Sequence, residues 1–333
     1  MAGSRARLIC FDLEGPLSPQ DNAFEVAKRL DRGERLFEAL SRYDDILALR
    51  ARPGYEAGDT LKLVLPFLLS RGIRDGVVRS VSHEAELTDG AMEVIEVLQR
   101  DNHHVHVVST SYRAHAEYVA GCLNIEPPRV HSSPVSLDAL SDQAVEEDFS
   151  LVREVEEQIH SILGERGSNK PDQENALVSA LDSFYNDKLP RCHLGVILGG
   201  IEIMGGRRKC GAIHRLSVQC GTALADVAFI GDSITDRHAL QFVEAGGGLA
   251  IAFNANEYAL PVATAAVASP RLDSILQLLI GWLDGGRAAV RELAQSLPRY
   301  DWVAGRSDEA LVEALPAHRR IRNAVRHDAG RLG

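Results

Sequence analysis

Phe11-Asp12-Leu13-Glu14-Gly15-Pro16-Leu17-Ser18 is the stretch whose reading decides the fold. It continues a short apolar run, Leu8-Ile9-Cys10-Phe11, that reads as a buried strand. Gly15 and Pro16 break that strand and leave Asp12 and Glu14 at its carboxyl end, where open α/β sheets place their ligands. Two acids two residues apart can divide labour there: one attacks or binds a metal, the other moves protons. Alone the tripeptide is weak, because Asp and Glu are mostly surface residues. Its partners must come from the rest of the chain.

The other strand-like runs supply them. Val105-His106-Val107-Val108 ends in Ser109-Thr110-Ser111, and Val227-Ala228-Phe229-Ile230 ends in Gly231-Asp232-Ser233-Ile234-Thr235-Asp236. In a doubly wound parallel α/β sheet these ends share one edge, so distant segments converge in one crevice. Lys209 opens the helix expected over about 208–219, just before the last of these strands. Asp12 and Asp232, with a backbone carbonyl and waters, suit Mg²⁺, a hard cation that takes oxygen ligands. Ser109 at a helix start can bond a phosphate oxygen, with Thr110 and Ser111 as further donors. A lysine adds a point charge for phosphate and carboxylates alike. Glu14 can protonate a leaving oxygen and then take a proton from water.

Between these ends the α/β rhythm is interrupted twice. Residues 17–88 read as helices throughout, with Asp21 or Asn22 as the first cap, and Arg50-Ala51-Arg52-Pro53-Gly54-Tyr55 as a connector. Residues 130–192 read as an acidic helical hairpin of about fifty residues, used as a second cap or an oligomer contact. Val196–Leu198 and Ile201–Ile203 read as short strands, Gly248–Asn254 and 264–268 as the last ones. Helices are expected at 271–284 and 285–297. The Arg/His-rich segment from about 307 reads as a partly helical or frayed tail. The expected division is an α/β core of 1–16, 89–129 and 193–285, helical segments 17–88 and 130–192, and a helical extension 286–333.

The 333 residues carry 36 basic and 47 acidic side chains, a net charge of −11 that argues against a nucleic-acid partner. An anionic substrate must therefore be held by local positive groups. No run approaches the ~18 apolar residues of a membrane span. Five scattered cysteines, one of them inside the first strand, fit reduced thiols and a cytoplasmic location.

Bland readings compete at several positions. Asp232 could simply cap a helix, and Arg207 and Arg208 compete with Lys209. His104 and His106 share a strand face but have no third ligand for zinc. Arg50 and Arg52, with Tyr55 and Lys62, could grip a substrate carboxylate or second phosphate; otherwise they are solvated helix charges.

The four segments resemble the motifs of the haloacid dehalogenase (HAD) superfamily, in the family order: Asp12-Leu-Glu14-Gly15, Ser109 after Val-Val, Lys209, and Gly231-Asp232 with Asp236. The resemblance implies a HAD-like α/β fold, Asp12 as nucleophile, Glu14 as acid/base, Ser109 and Lys209 as phosphate ligands, and Mg²⁺ on Asp12 and Asp232. Asp236 joins the metal shell directly or through water, and Glu14 is counted with the metal set. The insert at 17–88 resembles the C1 cap of the phosphoserine-phosphatase-like group, and the phrase around Asp12 is similar to a mainly archaeal branch of it. Two features depart from the pattern: Glu14 stands where most members carry Asp, and about one hundred residues separate Ser109 from Lys209. The expected activity is hydrolysis of a small phosphorylated metabolite, phosphoserine-like as a first guess, through an aspartyl-phosphate. The alternatives are transfer to an acceptor hydroxyl and a non-catalytic binding subunit, with or without homo-oligomer formation.

Overall fold

In β1 (Leu8–Phe11) the side chains alternate between two faces. Ile9 and Phe11 enter one apolar cluster, Leu8 and Cys10 another. A strand apolar on both faces belongs in the middle of a sheet covered on both sides, and β1 lies there. The computed structural model describes residues 6–50, 54–164, 171–306 and 308–332. The other strands are β2 (His104–Tyr112), β3 (Val130–Ser133), β4 (Val227–Gly231), β5 (Leu249–Phe253), β6 (Ala265–Val267) and β7 (Tyr300–Trp302).

Their order in the sheet is β3-β2-β1-β4-β5-β6-β7. Every pair is parallel except β6 with β7. The chain runs outward from β1 through β2 to β3, then returns to β4 on the other side of β1. The switch point between β1 and β4 is where such sheets open a ligand crevice.

The helices are α1 (Asn22–Ala27), α2 (Gly33–Leu49), α3 (Thr60–Ser70), α4 (Asp75–His83), α5 (Ala91–Arg100), α6 (Arg113–Cys122), α7 (Leu137–Gln143), α8 (Glu146–Leu163), α9 (Pro171–Asp182), α10 (His193–Gly199), α11 (Arg207–Gln219), α12 (Arg237–Ala245), α13 (Leu276–Ser296) and α14 (Asp308–Arg326). α5, α6 and α13 cover one face of the sheet. α11 and α12 cover the other. A third core holds α1–α4 and α7–α10 together: the Phe67 and Phe184 rings stand 5.8 Å apart, and Arg71 reaches the buried Glu156 at 3.0 Å. The two helical interruptions thus share one apolar interior.

Several expectations are corrected. Val196–Leu198 lies in α10, and Ile201–Ile203 is a loop whose Ile203 sinks into the helical core. Three-residue apolar runs do not separate strand from buried helix. The sheet takes in Val130–Ser133, from a segment expected to be helical, and Tyr300–Trp302, from the expected helical extension. The hydroxyl run after Val108 stays extended to Tyr112, with a register shift against β3. The last segment takes the helical of its two expected forms, and Leu311, His318, Arg322 and Arg326 are buried in it. α13 bends at Gly286, near the expected break. Among the described residues no helix is long and apolar enough to cross a membrane.

Candidate active site

Asp12 follows the last residue of β1, and its N–H continues the ladder to the Ile230 carbonyl at 2.8 Å. The chain then turns at Gly15, whose φ of +112° suits glycine. A Cβ at Gly15 would come within 2.4 Å of Asp232 Oδ2, so the missing side chain lets this loop close on the end of β4. At the end of β4 itself, a Cβ on Gly231 would strike the Asp236 carboxylate. These close approaches gather the strand-end acids.

Asp12, Asp232 and Asp236 are buried, and each offers an oxygen within 4.8 Å of the others. Lys209, fully buried on the first turn of α11, joins two of them: Nζ lies 2.9 Å from Asp12 Oδ1 and 2.7 Å from Asp236 Oδ1. Asp12 Oδ1 also accepts the Leu13 N–H at 2.8 Å. Asp236 Oδ2 accepts the Asp232 and Ser233 N–H groups at 3.0 and 3.3 Å. Asp236 therefore has both oxygens committed, and it anchors the lysine and the loop. Arg207 turns to Glu56 at the surface and Arg208 to Asp59.

Asp232 meets two residues that the sequence reading left in the tail. Arg322 and Arg326 of α14 both donate to its Oδ2, Arg326 at 2.8 Å. Asp232 Oδ1 is buried without a hydrogen-bond partner. An orphaned carboxylate oxygen in a cluster of hard oxygen donors fits a divalent cation such as Mg²⁺. The signal for the arginines was their spacing. Leu311, His318, Arg322 and Arg326 form one helical stripe, in which basic residues occupy positions where apolar ones are expected.

Glu14 stands outside the three-carboxylate cluster, a departure from its place in the expected metal set. Its Oε1 accepts the Asn22 N–H at 2.9 Å, at the start of α1. Burial, then the Asp21 carboxylate, push the Glu14 carboxyl up to about 8, against the opposing pull of Ser111, the Asn22 amide and Arg326. Burial and Asp236 also push Asp12 up, while Lys209 pulls it down. Burial works against the Lys209 ammonium, but Asp12 and Asp236 more than offset it and hold its pKa above the usual lysine value.

The small cavity beside Asp12, of about 80 Å³, is lined by Glu14, Asp21, Asp44 and Thr110, and Arg326 and Leu332 close it from the last segment. Thr110 Oγ1 donates to the Met204 carbonyl at 3.1 Å. Ser109 is buried in β2 and its Oγ accepts the Ser111 N–H at 3.1 Å, while Ser111 stands by Glu14. Tyr55 is not on this cavity's wall. It lines a neighbouring one of about 330 Å³ with Lys62, and its hydroxyl donates to Asp44. Asp44, a site residue the sequence reading missed, also accepts the Gly58 N–H at 3.0 Å, and burial pushes its carboxyl up to about 7. Arg52 lies outside the described residues.

No family model and no curated protein matches the chain. Solved structures do. A structure of gene product AF1437 from Archaeoglobus fulgidus is 28% identical over 99% of both chains, with a TM-score of 0.84. Phosphoserine phosphatase in apo form is 15% identical, with a TM-score of 0.52 over 82% of this chain and 98% of its own. A phospho-aspartyl intermediate analogue of phosphoserine phosphatase is 17% identical, with the same TM-score and coverage. The strand order, the convergence of strand-end acids at the β1/β4 switch and these likenesses agree: the chain has the haloacid dehalogenase fold, in its phosphoserine-phosphatase-like form.

Proposed function

We propose that the protein is a Mg²⁺-dependent phosphomonoesterase that works through an aspartyl-phosphate on Asp12. The observation that carries this reading is the Asp12 carboxylate itself. Lys209 and the Leu13 amide fix one oxygen, the side chain lines a cavity, and it stands within 4.8 Å of Asp232, which keeps one oxygen unpartnered. The phospho-aspartyl analogue of a phosphatase with the same fold supports it.

In this mechanism a free oxygen of Asp12 attacks phosphorus, the ester P–O bond breaks, and the Glu14 proton passes to the leaving oxygen. Water then attacks the same phosphorus and gives its proton to the Glu14 carboxylate, which releases phosphate and restores Asp12. A Glu14 pKa of about 8 keeps the proton available at neutral pH. Lys209 and Ser109 hold phosphoryl oxygens, with Thr110 on the cavity wall and Ser111 beside Glu14. Asp12 and Asp232 would hold Mg²⁺, which when bound would supply positive charge to the phosphoryl group. The small cavity and the phosphoserine-phosphatase-like fold favour a small phosphorylated metabolite, phosphoserine-like compounds first.

The test is turnover of a panel of phosphorylated metabolites and an aryl phosphate, with Mg²⁺ or with EDTA, by wild type and Asp12→Asn. Turnover that EDTA abolishes, and that Asp12→Asn lowers by roughly 10⁴-fold or more, is expected. Activity unchanged in Asp12→Asn would sink the mechanism.

A further inference from the structure

The arginines of α14 are an unusual way to fasten a helix. Each is more than nine-tenths buried, and taking two guanidinium groups out of water costs more than packing apolar residues of similar size. Their donors are spent on particular partners. Arg322 gives Nε to the Gly330 carbonyl at 3.1 Å, Nη2 to the Leu332 carbonyl at 3.0 Å, and Nη1 to the Asp232 carboxylate and backbone carbonyl. Arg326 gives Nε to the Pro19 carbonyl at 3.1 Å and Nη1 to Asp232. Both charges meet on one oxygen of Asp232, and the other oxygen is left unpartnered. Ala329 and Leu332, just beyond α14, are buried in the core of the helical module. The segment therefore leans on the sheet edge through Asp232 and on the helices through its apolar residues.

Within the set joined by ion pairs the charges balance; Glu14 and Asp21 also attract Arg326 but stand outside those pairs. Asp12, Asp232 and Asp236 face Lys209, Arg322 and Arg326. A divalent cation added to that set leaves buried positive charge in excess, with like charges close together in a medium that screens them poorly. Exchange of the two guanidinium groups for one divalent cation leaves the balance unchanged. We propose that Arg322 and Arg326 are positioning residues of the Asp12 site whose hold on Asp232 competes with a divalent cation, so that metal loading and the seating of α14 oppose each other. The inference rests on the reading of Asp12 and Asp232 as the metal-holding carboxylates. Linkage makes the effect reciprocal: what the metal does to the helix, the helix does to the metal.

Mg²⁺ binding to the full chain, without substrate, is measured by titration calorimetry for wild type, the double variant Arg322→Gln/Arg326→Gln, and Asp232→Asn. The double variant is expected to bind Mg²⁺ about tenfold more tightly than wild type, and Asp232→Asn to lose binding. Amide hydrogen exchange of wild type with and without Mg²⁺ provides a second readout, independent of how well the variant folds. Exchange across 318–330 is expected to quicken on metal addition, and unchanged exchange there overturns the proposal. Equal or weaker binding by a folded double variant overturns it as well, while leaving the metal reading intact. Absence of Mg²⁺ binding in wild type and variant alike overturns the metal reading, and this inference with it.

Discussion

Two walls of the site hold acids in different ways, and of the acids in the first only Asp12 lines the cavity. On the sheet-edge wall, Asp12, Asp232 and Asp236 each have a cationic nitrogen within 3 Å, from Lys209, Arg322 or Arg326. On the second, which lines the cavity, Glu14, Asp21 and Asp44 are buried or half-buried and bonded to neutral donors: the Asn22 amide, the Phe24 amide and the Tyr55 hydroxyl. Burial pushes all three of these carboxyls up, Glu14 to about 8 and Asp44 to about 7. Burial pushes Asp12 up as well, but there the Lys209 ammonium in direct contact pulls against it. The paired wall is suited to hold anions and metal, and the unpaired wall to hold protons.

Removing the cation from the first wall should have the largest effect. Lys209→Met leaves Asp12 and Asp236 without their shared ammonium, and about 3–5 kcal/mol of stability should go with it, as read by chemical denaturation. A midpoint within error of wild type would erase the contrast between the walls.

Next comes the proton on the second wall. Glu14→Gln should lower turnover by roughly 10²–10⁴-fold. Because the protonated form is the useful one, wild-type kcat/KM should fall as pH rises through about 8, and that alkaline limb should vanish in the variant. Stability follows the same sign. The folded value lies above that of a free glutamate, about 4.5, so the contribution of Glu14 is complete below that pH and is lost as pH rises through about 8. Glu14→Gln should therefore flatten the decline in melting temperature over this range. A parallel decline in wild type and variant would mean that Glu14 is not the group.

The smallest expected effect is that of Tyr55→Phe. It removes one hydroxyl bond to Asp44, worth about 1 kcal/mol of stability. That bond pulls the Asp44 pKa down, so its loss should raise the value above about 7, as followed by NMR titration of the carboxyl carbon. A fall would reverse the assigned role of the phenol.

The buried strands were legible because a parallel strand covered on both faces leaves a short apolar run, and β1, β2, β4 and β5 each do. Asp12, Lys209, Asp232 and Asp236 were legible because such a sheet brings the ends of its strands to one edge. β3 was not: in Val130-His131-Ser132-Ser133 three of four residues are polar, and it takes its place by pairing with β2. The strand reading of Val196–Leu198 failed because an apolar run that short carries no period.

The sequence by itself determined which acids end which strands, because local pattern and strand topology suffice for that. It did not determine which charges neutralise them. Arg322 and Arg326 meet Asp232 from 90 and 94 residues away. Their burial depends on where α14 docks, which is decided by the shared packing of the sheet edge and the helical module. An arginine on a helix reads as solvated until that docking is known, and only the tertiary structure turns two surface-like charges into the buried partners of the site.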